Sequence, residues 1–430
     1  MKKLLVTILI LFAFTGAHSF SNEAVDESKV VLDDVEIVGT KINEEDQKDI
    51  YAWYGIPYAK APEGELRWKA PRDFEFTSNR FDATKLPNRC VQVSNFYDEL
   101  ITGQKEGTIF GSEDCLYLNI FSPADSFKGD KKLPVMFWIH GGGNTSGLKD
   151  LYDFSKFVKK HNVIVVTINY RLGPLGWFTH PSIQDLQEGI DKASNFGTLD
   201  IISALQWVNK NIRLFGGDSE NITIFGESAG GHNVLSLLVS KQAKGLFHKA
   251  ISMSGYTESI SVQDAYKQKK QSPTSNYSSW EVVNKIIEDQ SKNYNQGQFD
   301  DNELRDILYS LSGNEFYQYY SERENFEELP LLTNDGIVIP KIGLRESLSK
   351  EEHVNIVPTI AGSTRDEVKI WLAFSEYFVS VDYSVSGSLF GLPKVILNNE
   401  DAFEAFNYYR SNAWKVRGVN EPLNSLAKAG

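Results

Sequence analysis

The sequence predicts an α/β protein built on a central, mostly parallel sheet flanked by helices. Two observations predict it. Short apolar runs recur along the chain at Leu133 to Ile139, Val163 to Ile168, Asn221 to Phe225, Ala250 to Met253 and Ile356 to Ala361. Runs of this length suit strands buried on both faces of a parallel sheet. Helical patterns lie between them, and strands alternating with helices build an open sheet with right-handed crossovers.

Each element has its own signal. Val30 to Ile42 alternates loosely around Gly39 and reads as small strands near the N-terminus. Ile201, Leu205, Val208 and Ile212 mark one helix, with Asp200 placed to cap it and Gly216-Gly217 placed to stop it. Residues 258 to 330 break the rhythm and are rich in Lys, Gln, Asn, Ser and Glu. Two amphipathic helices still stand out there. One opens on a capping box from Ser278 to Glu281 and continues through Val283, Ile286 and Ile287. The other runs through Leu304, Ile307, Leu308 and Leu311 and ends at Gly313. The segment reads as an insertion over the C-terminal edge of the sheet, either walling a substrate cleft or filling space.

Composition narrows the function classes. Lys2 and Lys3 precede an apolar run from Leu4 to Phe14, and Ala17 and Ser19 suit cleavage after residue 19. This predicts an export signal over residues 1–19 and a secreted or periplasmic protein. The run is too short to span a bilayer, and no other segment could. The formal charge of −13 and the lack of a Lys/Arg cluster argue against nucleic acid as a partner. Cys90 and Cys115 are the only cysteines. In an oxidising compartment such a pair tends to bond; two free, buried thiols is the alternative.

The strongest local motif is Gly226-Glu227-Ser228-Ala229-Gly230, directly after a strand and directly before a helix. A serine on so sharp a turn presents its hydroxyl above the sheet, next to a helix N-terminus that favours negative charge. The second motif is His140-Gly141-Gly142-Gly143 at the end of a strand. Acyl transfer builds an oxyanion, and glycines let backbone N–H groups point at it unobstructed.

With these motifs in place the chain resembles the type-B carboxylesterase and cholinesterase family. Gly55-Ile56-Pro57-Tyr58-Ala59 with Leu66-Arg67-Trp68 resembles its N-terminal signature, and Ser112 to Asn119 its second signature. Asn169-Tyr170-Arg171, Phe215-Gly216-Gly217-Asp218 and Gly245-Leu246-Phe247-His248 also match. The resemblance implies the α/β-hydrolase fold over residues 20–430 and a serine carboxylic ester hydrolase acting on a small-molecule ester without cofactor or metal. It implies Ser228 as nucleophile, the N–H groups of Gly142, Gly143 and Ala229 as the oxyanion hole, and Glu367 as triad acid, with Asp366 as fallback. Val368 stands where the family usually has glycine. Ion pairs Arg67–Glu113 and Arg171–Asp200 are also implied. Glu227 and Ser254 would lie behind the reacting groups.

A Ser–acid–His enzyme of this class places its histidine after the acid. The seven histidines are His18, His140, His161, His180, His232, His248 and His353, and none follows Glu367. The reading is therefore of a domain whose C-terminal part, with the catalytic histidine, is missing from this chain. The alternative is a non-catalytic cholinesterase-like adhesion protein, a type that typically loses the serine. Neither substrate specificity nor oligomeric state is legible. Cholinesterases place a Trp in the loop between residues 90 and 115, where this chain has only Phe96, Tyr97 and Phe110 as weaker substitutes.

Overall fold

The apolar runs become the middle of one sheet. A computed structural model describes residues 26–42, 49–94, 98, 103–127, 129–266, 278–290, 296–321, 332–382 and 394–430. The expected signal and the loop aromatics Phe96 and Tyr97 lie outside these residues. The main sheet contains β1 (Thr40–Ile42), β2 (Ile50–Pro57), β3 (Tyr117–Pro123), β4 (Leu133–Ile139), β5 (Ile164–Ile168), β6 (Gly217–Glu227), β7 (Lys249–Met253) and β8 (Thr359–Gly362). Its spatial order is β8-β7-β6-β4-β5-β3-β2-β1. The strands from β8 across to β5 run parallel, and β3, β2 and β1 join antiparallel. Among the described residues β8 is an edge strand, and its Ile360 is 64% exposed.

The alternation of side chains along a strand explains the unbroken apolar runs. Ile164, Val166 and Ile168 of β5 enter the large core, while Val165 between them enters a second cluster with Ile50, Ala52 and Phe121 on the opposite face. The one polar residue of the strand, Thr167, is buried as well, and its hydroxyl has no hydrogen-bond partner. Val135, Phe137, Ile222 and Ile224 share the large core with Ile201, Leu205 and Val208 of α1 (Phe196–Asn211) and with Leu235 and Leu238 of α2 (Ala229–Val239). Each such side chain contributes about 1.5–3 kcal/mol on burial.

Three local expectations are corrected. Helix α1 starts at Phe196, not after Asp200, and Asn195 precedes it without a side-chain cap. Asp200 lies inside the helix because Arg171 claims its carboxylate. Helix α3 (Ser279–Gln290) starts where expected, but Ser278 Oγ is buried without a hydrogen-bond partner, so it does not make a capping box. The capping box forms instead at α4 (Asp301–Ser310), where Asp300 accepts from the N–H groups of Asn302 and Glu303 and Glu303 accepts from the N–H of Asp300. Gly313 does not stop that helix. It opens α5 (Gly313–Ser321), its N–H donating to Glu113 Oε2 at 3.1 Å, and a Cβ there would lie 2.7 Å from Glu113 Cγ.

These three helices are not a separate layer. Val283, Ile287, Leu308, Phe316 and Tyr317 belong to the large core. The insertion is thus rooted in the scaffold and reaches the C-terminal ends of the parallel strands, where Tyr317 Oη donates to Thr145 O at 2.9 Å.

The expected disulfide joins Cys90 and Cys115. Both expected ion pairs are present. Arg67 grips Glu113 with Nε and Nη2, each at 2.6 Å, and donates Nη1 to Leu311 O at 2.7 Å. Arg171 grips Asp200 with Nε at 2.8 Å and Nη2 at 2.7 Å. Among the described residues no helix is long and apolar enough to cross a membrane.

Candidate active site

Strand β6 ends at Glu227, and α2 begins at Ala229, leaving Ser228 alone to turn the chain. Its backbone sits at φ 56° and ψ −120°, a region that L side chains rarely adopt. The flanking glycines are sterically required. A Cβ on Gly230 would lie 2.1 Å from Ile139 O, and one on Gly226 would lie 2.5 Å from Gly230 C. The turn is locked from below by Ser228 N donating to Met253 O at 2.9 Å. The half-buried Ser228 side chain caps no group of the helix that follows.

The glycine loop leaves the end of β4 and passes directly over this turn. A Cβ on Gly141 would lie 3.2 Å from Ser228 Cβ. Gly142 and Gly143 take positive φ of 101° and 64°. The Gly142 carbonyl turns back into the loop and accepts from Thr145 N and Ser146 N at 3.1 and 3.0 Å. No acceptor among the described residues takes the N–H of Gly142 or Gly143. Ala229 N, in the first turn of α2, likewise has no intrahelical acceptor available. The loop that carries two of these unengaged donors touches Ser228 through Gly141, and the third donor follows Ser228 directly in the chain.

Sequence reasoning missed the support behind this loop. Asn144 is fully buried at φ 59°. Its Oδ1 accepts from Asn233 Nδ2 at 2.8 Å and from Tyr170 Oη at 3.3 Å, and its carbonyl accepts from Gly173 N at 2.7 Å. An Asn directly after a glycine run is a signal for such a left-handed position.

Glu367 follows β8. Its Oε1 accepts from Ser254 Oγ at 2.7 Å and from Thr364 N at 2.5 Å. Ser254 in turn follows β7, the strand next to β6, so two neighbouring strand ends bring Glu367 toward the serine turn. Burial and the charge of Glu367 together raise the Glu227 carboxyl above its usual range. Asp366 is turned elsewhere: Asn407 Nδ2 donates to it at 2.6 Å, and that bond and Arg365 hold its carboxyl below the usual range.

The described histidines have other duties. His140 is buried, stacks on Tyr170 with ring centroids 4.4 Å apart, and is pushed down to about 4 by burial. His232 lies on Glu258 O at 2.8 Å and is also pushed down to about 4 by burial. His180 accepts from Ser182 N, and Nδ1 of His248 accepts from Ile222 N. His161 closes a surface helix, Ser155–His161, and His353 a short turn, Glu351–His353. His18 lies outside the described residues.

Strand, serine turn and helix on a mostly parallel sheet, with a glycine loop over the turn, define the α/β-hydrolase fold. The chain belongs to the carboxylesterase family, whose family model matches residues 26–388. It is 42% identical to the para-nitrobenzyl esterase of Bacillus subtilis over 52% of this chain and 44% of that one. It is 35% identical to carboxylesterase 1E of Rattus norvegicus over 84% of this chain and 62% of that one. The chain thus spans less than two thirds of the length of these relatives. Among solved structures it is similar to a PNB esterase, at TM-score 0.66 and 29% identity, covering 94% of this chain and 78% of that one.

Proposed function

We propose that this chain carries the acylating half-site of a serine carboxylic ester hydrolase. The observation that supports it best is the Ser228 turn with the glycine loop packed on it at Gly141, the N–H groups of Gly142, Gly143 and Ala229 all being unengaged. Ser228 Oγ attacks the ester carbonyl while an imidazole takes its proton. The oxyanion rests on the three N–H groups, the tetrahedral species expels the alcohol, and water then releases the acid by the same steps. Glu367, fixed by Ser254 and Thr364, is the acid that orients the imidazole. No contact brings any described histidine to Ser228 or Glu367, so the reading assigns the base to an imidazole from outside these residues. No step calls for a metal or cofactor.

The substrate is a small-molecule ester; relatives named for para-nitrobenzyl ester hydrolysis make aryl and benzyl esters the first probes. The Cys90–Cys115 bond supports export to an oxidising compartment, secreted or periplasmic. Retention of the serine on its turn speaks against the adhesion alternative.

The test is labelling by a fluorophosphonate with imidazole added to the buffer, followed by mass spectrometry. The adduct is expected on Ser228 and is expected to be lost in Ser228→Ala. Equal labelling of the two proteins, or none of the native chain with imidazole present, would overturn the reading.

A further inference from the structure

The oxyanion loop is supported at Asn144, but its far end is held by a different element. Gly147 closes the loop at φ 119°, and it folds back onto the start of it. A Cβ on Gly147 would lie 2.6 Å from His140 Nδ1 and 2.7 Å from Gly141 O. The position of Gly147 therefore fixes that of Gly141, whose own Cβ would touch Ser228. Four residues within this loop have positive φ, and three of them are glycines with many backbone states open to them, so contacts from outside the loop must select one of those states.

What imposes it at Gly147 is one side chain. Gln92 is fully buried. Gly147 N donates to Gln92 Oε1 at 2.9 Å, and Gln92 Nε2 donates to Gly147 O at 3.1 Å. A carboxamide pairs with a peptide group in this way through both of its polar atoms at once. The second Nε2 proton goes to Cys90 O at 3.0 Å, so both amide protons are used. The hook itself stands on a stiff base. Gln92 pairs with Phe110 in a short two-stranded ladder, and the Cys90–Cys115 disulfide closes the same loop two residues away.

We propose that Gln92 is a positioning residue for the oxyanion hole: from the disulfide-closed stem it clamps Gly147 and thereby aims the N–H groups of Gly142 and Gly143 at the oxygen bound beside Ser228. The proposal rests on the esterase reading and adds to it a residue that touches no substrate. Removal of Gln92 leaves the Gly147 N–H and carbonyl unpaired and lets the glycine loop swing. Ground-state binding, which does not need the two donors aligned, is spared.

Phenylboronic acid tests this without a catalytic base. Ser228 Oγ adds to boron, its proton leaves to solvent, and the tetrahedral anion formed occupies the oxyanion hole. Benzamide binds the same pocket with no adduct. Affinities for both are measured on the native chain, Ser228→Ala and Gln92→Ala, with the tetrahedral ¹¹B resonance as signature. Losing a single oxyanion donor lowers turnover about 10²–10³-fold, so partial misalignment of two is expected to weaken boronate binding by about 10–100-fold with benzamide unchanged. If both ligands bind Gln92→Ala as they bind the native chain, or if both weaken equally, the positioning role is overturned. If the native chain shows no tetrahedral boron that Ser228→Ala abolishes, the esterase reading falls, and the role of Gln92 with it. Should Gln92→Ala fail to fold, Gln92→Glu is read the same way. Its ionised carboxylate lacks the donor for Gly147 O, so the selective loss should be large at about pH 8 and shrink as the carboxyl takes up a proton.

Discussion

Replacing Asp200 by alanine should destabilise the fold far more than its single lost side chain suggests. Asp200 is fully buried and accepts three hydrogen bonds from one partner, from Arg171 N at 2.9 Å, Nε at 2.8 Å and Nη2 at 2.7 Å. The guanidinium would remain buried after the substitution, keeping Lys69 O at 2.9 Å, Phe196 O at 3.5 Å and the face of Phe196 as company. A buried charge stripped of its counter-ion costs about 3–5 kcal/mol. Arg171 Nη1 is already buried without a partner, so the native pair carries a penalty of its own. Replacing both residues, Arg171→Met with Asp200→Leu, removes that penalty together with the charges. The double variant should then be more stable than either single one. The measurement is a double-mutant cycle by urea denaturation, followed by tryptophan fluorescence at constant pH. A coupling energy below about 0.5 kcal/mol, or an Asp200→Ala loss within the range of a surface substitution, would refute the reasoning.

Two further outcomes follow from the same kind of argument. Stability should fall as the solution is acidified from neutrality. His140 and His232, both pushed down to about 4, refuse the proton that the unfolded chain accepts near its ordinary value of 6.5. Their contribution is full above the unfolded value and is lost as pH drops toward the folded one, by up to about 3 kcal/mol for each group. Denaturation at about pH 7 and about pH 4.5 checks the slope, and His232→Asn should flatten it; equal slopes would contradict the assignment. Glu113→Ala should release the insertion, because Glu113 holds both Arg67 and Gly313 N, the first residue of α5. Since Glu113 is partly exposed, the loss is on the order of 2 kcal/mol. Limited proteolysis should then cut between residues 258 and 330 at protease levels that leave the native chain intact.

What the sequence made legible was whatever local chemistry fixes. β4 spans Leu133–Ile139 as its apolar run suggested, and the Ser228 turn stands between strand and helix because no other residues could occupy Gly226 and Gly230. Two of the failures share one cause, a distant partner overriding a local preference. Asp200 looks like a helix cap and lies inside the helix because Arg171, 29 residues earlier, takes its carboxylate. Gly313 looks like a helix stop and starts a helix because Glu113 lies against it. Gln92 showed nothing in sequence, since its partner is a peptide group 55 residues away and a peptide group has no letter of its own. The fold was read from periodicity, but the polar contacts that aim the glycine loop had to be seen in space.

The backbone of Ser228 sets stability and chemistry against each other. At φ 56° and ψ −120° a glycine is at ease and a serine is not, by roughly 1–3 kcal/mol. A library of this chain ranked by yield or thermal resistance alone would thus be drawn toward glycine at the position where the proposed function needs a hydroxyl. Under the proposed role of Ser228, any directed evolution for robustness has to assay turnover in every round, because the fitter fold and the working catalyst would part company at residue 228.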